Sequence, residues 1–379
     1  MAAEKPYTAA IVGLGRIGYS LGLDKKREQP ASHTSALNDN PRIKIIAGCD
    51  TDECALKAWH EANRKAAVYT DSANLYARHR PDIIVIAVNE NAHQKEAVEA
   101  IKSKPKLVIL EKPVALNMDE AKYIQAVAES FGVPVLVNHE RRFAEDFKTA
   151  KKYLSSIGPV QSINACLCSS LCVYNPAEEN SGAYSLLHDG THLVDAVLYF
   201  LEKDSQISGT IQKAYHEEKK GGLLSMAKSI TEQKPSFTLS QLLNEPVLTG
   251  IFRDEKQNIR QFSAHYSNGL CPDITISMSG RSRFFSFEVT ITGTQGRICI
   301  GNGYLKLYRR ENSTLYSGFY SLAADKSVKL PKKTLFFANM IKNAVDFLDN
   351  RAPLLSTIQS GINALAVLEE IKRLFQKQQ

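Results

Sequence analysis

The strongest constraint on the fold is a beat in the first third of the chain, where short apolar, β-rich runs alternate with helical periodicity. Runs at residues 8–12, 43–49, 83–88, 107–110 and 133–137 are separated by helix-patterned stretches at 53–63, 92–101 and 119–131. Strands spaced by helices of about 10–15 residues build βαβ units, which assemble into a parallel sheet covered on both faces. Ile83-Ile84-Val85-Ile86-Ala87-Val88 is apolar throughout, as suits a central strand buried on both sides.

Past Asn138 the pattern changes. A helix over 144–154 leads through Gly158-Pro159 into 160–174, which alternates with period two. Ile163, Ala165, Leu167, Leu171 and Val173 fall on one face, and Ser162, Asn164, Cys166, Cys168 and Cys172 on the other. A helix over 185–201 follows. Strand-rich sequence then runs to about 330, clearest at 283–292 and 297–300 on either side of Gly293-Thr294-Gln295-Gly296. Residues 219–258 are polar and irregular, and helical repeats return at 336–348 and 362–375. The expected organisation is a dinucleotide-binding domain over 1–138, an α+β domain over 139–330, and C-terminal helices over 331–379 that pack back on the body.

Composition removes several classes. With 44% hydrophobic and 23% charged residues among 379, the chain can bury a sizeable core. Its apolar runs, such as 83–88, stop far short of the roughly 18 residues a membrane span needs. Met1-Ala2-Ala3-Glu4-Lys5-Pro6 has no hydrophobic run behind a basic segment, so no secretory leader is expected. Seven cysteines, an odd number with no stapled mini-domain pattern, suggest a reducing cytoplasm. The net charge of +7 hints at an anionic ligand, but the basic residues are scattered and nucleic acid is not implied.

Val12-Gly13-Leu14-Gly15-Arg16-Ile17-Gly18 is G-x-G-x-x-G directly after the first strand. Glycines at this spacing permit a tight turn, close approach of backbone to a pyrophosphate, and tight packing of the helix that follows. That helix's N-terminus would add free N–H groups and partial positive charge. Residues 23–32, with Lys25, Lys26, Arg27 and Pro30, interrupt the expected helix and should loop out beside the cofactor as a solvated charge run. Asp50 closes the second strand, where a carboxylate recognises a ribose 2′-hydroxyl and repels a 2′-phosphate; NAD is therefore favoured over NADP. Asp52 is the rival, with helix capping as its ordinary role. Further along, Val108-Ile109-Leu110-Glu111-Lys112-Pro113 ends a strand in Glu-Lys-Pro, which aims Lys112 at the nicotinamide side of the crevice.

Together the glycine turn and Glu111-Lys112-Pro113 make the chain resemble the Gfo/Idh/MocA family, named for glucose–fructose oxidoreductase, inositol dehydrogenase and a rhizopine-catabolism protein. Asn138-His139-Glu140-Arg141-Arg142-Phe143 is similar to the family's entry into its second domain, and Leu187-His188-Asp189-Gly190-Thr191-His192 to its active-site helix. The resemblance implies a Rossmann domain followed by an α+β domain whose open, mainly antiparallel sheet forms oligomer contacts, giving a homodimer or homotetramer. It implies hydride transfer between NAD(P) and a secondary alcohol or ketone of a sugar, cyclitol or sugar nucleotide. By the same resemblance Lys112 and His192 are catalytic, with His188 standing where the family commonly has Asp. The implied cofactor contacts are Gly13, Gly15, Arg16, Ile17, Gly18, Asp50, Asn89, His93, Glu111 and Lys112. Val88-Asn89 replaces the family's usual Thr-Pro after the fourth strand.

The residue types suit that chemistry. Removing hydride from a carbinol carbon requires its hydroxyl to lose a proton, so the site needs a base and a group that steadies the alkoxide. Histidine titrates near neutrality and can shuttle the proton, while a lysine ammonium stabilises negative oxygen or, if buried, acts as base. His188, His192 and Asp195 fall at i, i+4 and i+7, so a single helix would present them on one face. His188-x-x-x-His192 also has zinc-ligand spacing, but no third ligand is evident and no metal is expected. Cys166, Cys168 and Cys172 on one strand face do not gather round one ion. Two other readings stay open: a glycosidase that uses NAD transiently, and a ligand sensor without turnover.

Overall fold

The computed structural model describes residues 5–202, 243–267 and 271–377. They form two compact units, one built from the chain up to Phe143 plus Leu335–Ile362, the other from Ala144 onward to Thr334 plus the residues from Asn363 on. The C-terminal residues 335–362 thus fall in the first unit and those from Asn363 onward in the second.

In the first unit six strands pair in parallel: β1 (Tyr7–Val12), β2 (Ile43–Cys49), β3 (Ala67–Tyr69), β4 (Ile83–Ile86), β5 (Leu107–Leu110) and β6 (Val135–Val137). Their spatial order is β3-β2-β1-β4-β5-β6, with α1 (His33–Asp39), α2 (Glu53–Ala62), α3 (Ser72–Arg78), α4 (His93–Lys102) and α5 (Met118–Phe131) as crossovers. This is the doubly wound order of a Rossmann sheet, and the direction of winding switches between β1 and β4. Every residue of β4 and β5 is buried, as unbroken apolar strands in a two-sided sheet must be. β3, three half-buried residues long, is too short to declare a period and escapes a sequence reading.

The second unit is built on an eight-stranded sheet: β7 (Val160–Cys168), β8 (Val247–Arg253), β9 (Ile259–Tyr266), β10 (Asp273–Ser279), β11 (Ser286–Gly293), β12 (Gly296–Gly301), β13 (Tyr304–Asn312) and β14 (Tyr320–Ala324). The order is β14-β13-β12-β11-β7-β10-β9-β8, antiparallel except where β7 meets β10. Ile163, Ala165 and Leu167 of β7 are buried, and α6 (Glu145–Tyr153), α7 (Ser185–His188) and α8 (Gly190–Leu201) belong to the same unit. The alternation read over 160–174 stops at Cys168. Beyond it the chain turns, Leu171 is 42% exposed, and the Cys172 thiol donates to backbone oxygens of Tyr174 and Ile259. Of the region read as irregular, 243–258 contains β8, whereas 219–242 lies outside the described residues.

Two helices close the chain, α9 (Phe336–Leu348) and α10 (Ile358–Lys377). α9 buries Phe337, Met340, Ile341, Ala344 and Val345 in the first unit's core, beside Leu37, Leu14 and Trp59. Each such large side chain contributes about 1.5–3 kcal/mol relative to exposure, so the Rossmann domain depends on this distant helix. Among the described residues no helix is long and apolar enough to cross a membrane.

Candidate active site

The glycine turn is shaped by contacts that sequence spacing only implied. Gly13 has φ +94°, and a Cβ there would sit 2.4 Å from the Ala87 carbonyl oxygen; a Cβ on Gly18 would sit 2.0 Å from that of Gly13. At Gly15 a Cβ would meet nothing within 4 Å. Protein packing therefore explains the outer two glycines but not the middle one, whose open, solvent-facing space is what a pyrophosphate approaching the backbone requires. Arg16 is exposed and Ile17 half-buried beside it. The turn fits a dinucleotide.

The helix expected to follow is reduced to one turn, closed by Tyr19 N–H to Gly15 O and Leu21 N–H to Arg16 O at 2.9 Å each, then a 3-10 segment at Ser20–Leu23. The interrupting residues loop out, and their ends are drawn back together: His33 N–H donates to Ile17 O and Thr34 N–H to Gly18 O, both at 3.0 Å. Thr34 Oγ1 also donates to Gly18 O at 2.7 Å while accepting from Trp59 Nε1 at 2.9 Å. Within the loop Lys25 and Lys26 are exposed, Arg27 pairs with Asp24 at 3.5 Å, and the Glu28 carboxylate accepts from Leu335 N–H at the N-terminus of α9. A solvated charge run is the better description.

Asp50 stands one residue past β2. Its Oδ2 accepts from Leu14 N–H in the glycine turn at 2.6 Å and its Oδ1 from Asp52 N–H at 2.9 Å, so it braces the turn. Asp52 takes the ordinary role, capping α2 through Cys54 and Ala55 N–H. Asn89 is exposed past the end of β4.

Glu111 and His93, grouped above with the cofactor contacts, are 5% and 1% exposed and flank the lysine's loop. Glu111 Oε1 receives His33 Nε2 at 2.6 Å and Asn138 Nδ2 at 2.7 Å. Burial alone would push its carboxyl up, but the hydrogen bond and charge of His33, the Asn138 amide and the Lys112 ammonium hold it below the usual carboxylate range. On the other side of Lys112, His93 Nδ1 lies 2.6 Å from Pro113 O and its Nε2 3.1 Å from Val88 O. His33 was missed in the sequence because its partner lies 78 residues away.

Burial also pushes His93 below its ordinary value of 6.5, against the opposing pull of those carbonyls and Glu90. The unfolded ring therefore binds a proton before the folded one does. Its contribution to stability is complete above pH 6.5 and drains away as pH falls through the lower folded value. The melting temperature should fall less steeply between about pH 7.5 and 5.5 in His93→Asn than in the parent chain; parallel curves would contradict this.

In the second unit the helix expected over 185–201 is broken. α7 ends at His188, Asp189 forms a turn, and α8 starts at Gly190, a poor helix former. His188 and His192 are half-buried, but Asp195 is 1% exposed and turned into the core, so the three do not share one accessible face. Asp189 ties the break together: its backbone carbonyl accepts His192 N–H at 3.1 Å and its Oδ2 accepts Ser185 Oγ at 3.3 Å. Among the described residues no three His, Cys, Asp or Glu side chains gather as a metal site would need.

A glycine turn after β1, a carboxylate after β2 and a lysine after β5, all at the carboxyl edge of a parallel sheet, define a dinucleotide-binding Rossmann domain. Residues 7–139 match the model of the Gfo/Idh/MocA oxidoreductase family, described by its NAD-binding Rossmann fold. Curated relatives include D-glucoside 3-dehydrogenase of Escherichia coli, 23% identical over 52% of this chain and 55% of that one. Another is the NADP(+)-dependent scyllo-inositol 2-dehydrogenase IolW of Bacillus subtilis, 26% identical over 34% of this chain and 37% of that one. The chain thus spans about half or less of the length of these relatives. Among solved structures, a dehydrogenase from Chromobacterium violaceum superposes with TM-score 0.73 at 13% identity, covering 98% of this chain and 95% of that one. The WlbA dehydrogenase of Bordetella pertussis, in complex with NADH and UDP-GlcNAcA, gives TM-score 0.69 at 15% identity, covering 99% and 97%. These likenesses establish the two-part fold.

Proposed function

We propose that this chain is an NAD-dependent oxidoreductase that interconverts a secondary alcohol and a ketone on a sugar, cyclitol or sugar nucleotide. The observation that carries the reading is Lys112, set at the carboxyl edge of the sheet between two buried histidine contacts, on the same edge as an open glycine cradle. Bound NAD supplies the hydride acceptor. Gly13, Gly15, Arg16, Ile17 and Gly18 would face its pyrophosphate, Asp50 its ribose, and Asn89 and Lys112 its nicotinamide end. Lys112 steadies the oxygen as it becomes an alkoxide, and His192 takes the hydroxyl proton, with His188 orienting it or the substrate. The sugar- and inositol-directed names of the relatives support the substrate class, and the positive net charge favours an anionic member of it. Seven free thiols suit a reducing cytoplasm.

The test is a panel of sugars, sugar phosphates and sugar nucleotides incubated with NAD or NADP, followed by net NAD(P)H absorbance. Sustained accumulation with at least one sugar-like alcohol is expected, and faster with NAD because of Asp50. Release of aglycone without NADH, binding without turnover, or preference for NADP would each overturn a part of the reading.

The same reading includes a homodimer or homotetramer joined through the second unit's sheet. On its outward side Asn164 and Cys166 of β7 are exposed, flanked by Thr275 and Ser277 of β10 and by Glu288 and Thr290 of β11. Small uncharged side chains dominate this surface, and hydrogen bonds such as Ser263–Ser277 (2.8 Å) already join neighbours on it. Such a flat, weakly charged face suits burial against another sheet better than solvent. Light scattering at micromolar concentration should report a mass at least twice that of the chain; a monomer would contradict it.

A further inference from the structure

His33 sits at a junction. Its backbone is stitched to the glycine turn through Ile17 O, although an insertion separates the two in sequence, and its ring reaches Glu111 beside Lys112. The ring is 0% exposed and stands edge-on to Phe337 at 5.2 Å. Its Nδ1 finds no partner among the described residues, so the 2.6 Å contact from Nε2 to Glu111 is the ring's polar anchor.

A carboxylate is an expensive group to bury, and a loop that needed only packing would be better served by an apolar side chain or a neutral amide. Here the carboxylate is kept, matched by one imidazole and one amide, next to the cation that the proposed reaction uses. We propose that His33, acting through Glu111, is a positioning residue for Lys112: it couples the strand end that carries the lysine to the turn that cradles the cofactor. This rests on the reading of Lys112 as the alkoxide-stabilising group. The pair fixes where the ammonium stands; it does not itself touch substrate.

The test uses the full chain with His33→Leu, His33→Gln, Glu111→Gln and the His33→Leu/Glu111→Gln double variant. Turnover and KM for NAD are measured alongside the acetylation rate of Lys112 by trace acetic anhydride, read by mass spectrometry. Misplacing a reacting group by about 1 Å costs on the order of 10²-fold, so His33→Leu and Glu111→Gln should each lower kcat by roughly 10–10²-fold and leave KM for NAD nearly constant. The double variant should be no worse than the poorer single one, because the unpaired buried charge has gone with its partner. His33→Gln, which can set an amide N–H where Nε2 stood, should recover most of the loss. Both single variants that break the pair should change the Lys112 acetylation rate at least threefold. Losses that multiply in the double variant, or an unchanged Lys112 acetylation rate in folded Glu111→Gln, would overturn the proposal. The acetylation assay needs no substrate. If the parent chain turns nothing over, the functional reading fails while the His33–Glu111 coupling is still decided. Should His33→Leu not fold, Glu111→Gln and His33→Gln carry the same comparison.

Discussion

Lys112→Ala is expected to lower turnover by roughly 10²–10⁴-fold, the range for removing a positioned group that stabilises developing charge. NAD affinity should change little, because most of the cofactor's contacts are expected at the glycine turn and Asp50. Lys112→Arg keeps the charge but spreads it over a wider, planar head, so it should recover only part of the loss. Steady-state rates and calorimetric NAD binding on the same preparations check both statements. A loss of binding that matches the loss of rate would mean that Lys112 holds the cofactor and does nothing further.

His192→Ala carries the second large effect, again about 10²–10⁴-fold in turnover, with a signature in the pH profile. Oxidation should rise with pH through a near-neutral limb as the imidazole becomes able to accept the hydroxyl proton, and that limb should vanish in His192→Ala. If it survives, the base is Lys112 and the two roles exchange. His188→Ala should cost less, since this side chain closes α7 on the far side of the break at Asp189.

What the sequence disclosed follows from how local each signal is. β2, β5 and α9 coincide with their apolar patterns to the residue, because periodicity and flanking turn chemistry are written within each segment. The alternation that predicts a strand to Tyr174 runs on through Ser169-Ser170, where the chain leaves the sheet and period-two spacing no longer has a face to refer to. The helix break at Asp189-Gly190 was hidden by apolar spacing that continues across it. At the candidate site, residue identities were legible and partnerships were not. Glu-Lys-Pro announced Lys112, but nothing near residue 111 names His33, and nothing near residue 93 shows that its ring faces two backbone carbonyls. Those pairings exist only once β4, β5 and α1 have come together.

The placement of α9 has a consequence for how this protein is made. The six strands of the Rossmann sheet and all their crossovers leave the ribosome before residue 143, yet Phe337, Met340 and Ile341 complete that core. At roughly 5–20 residues per second, the nascent domain waits on the order of 10–40 s for its last wall. Through that interval its apolar flank is uncovered, on a chain still tethered at one end. Slow codons, a chaperone resting on that flank, or a stop codon just ahead of residue 336 would thus act on the stability of a sheet whose last strand was translated long before.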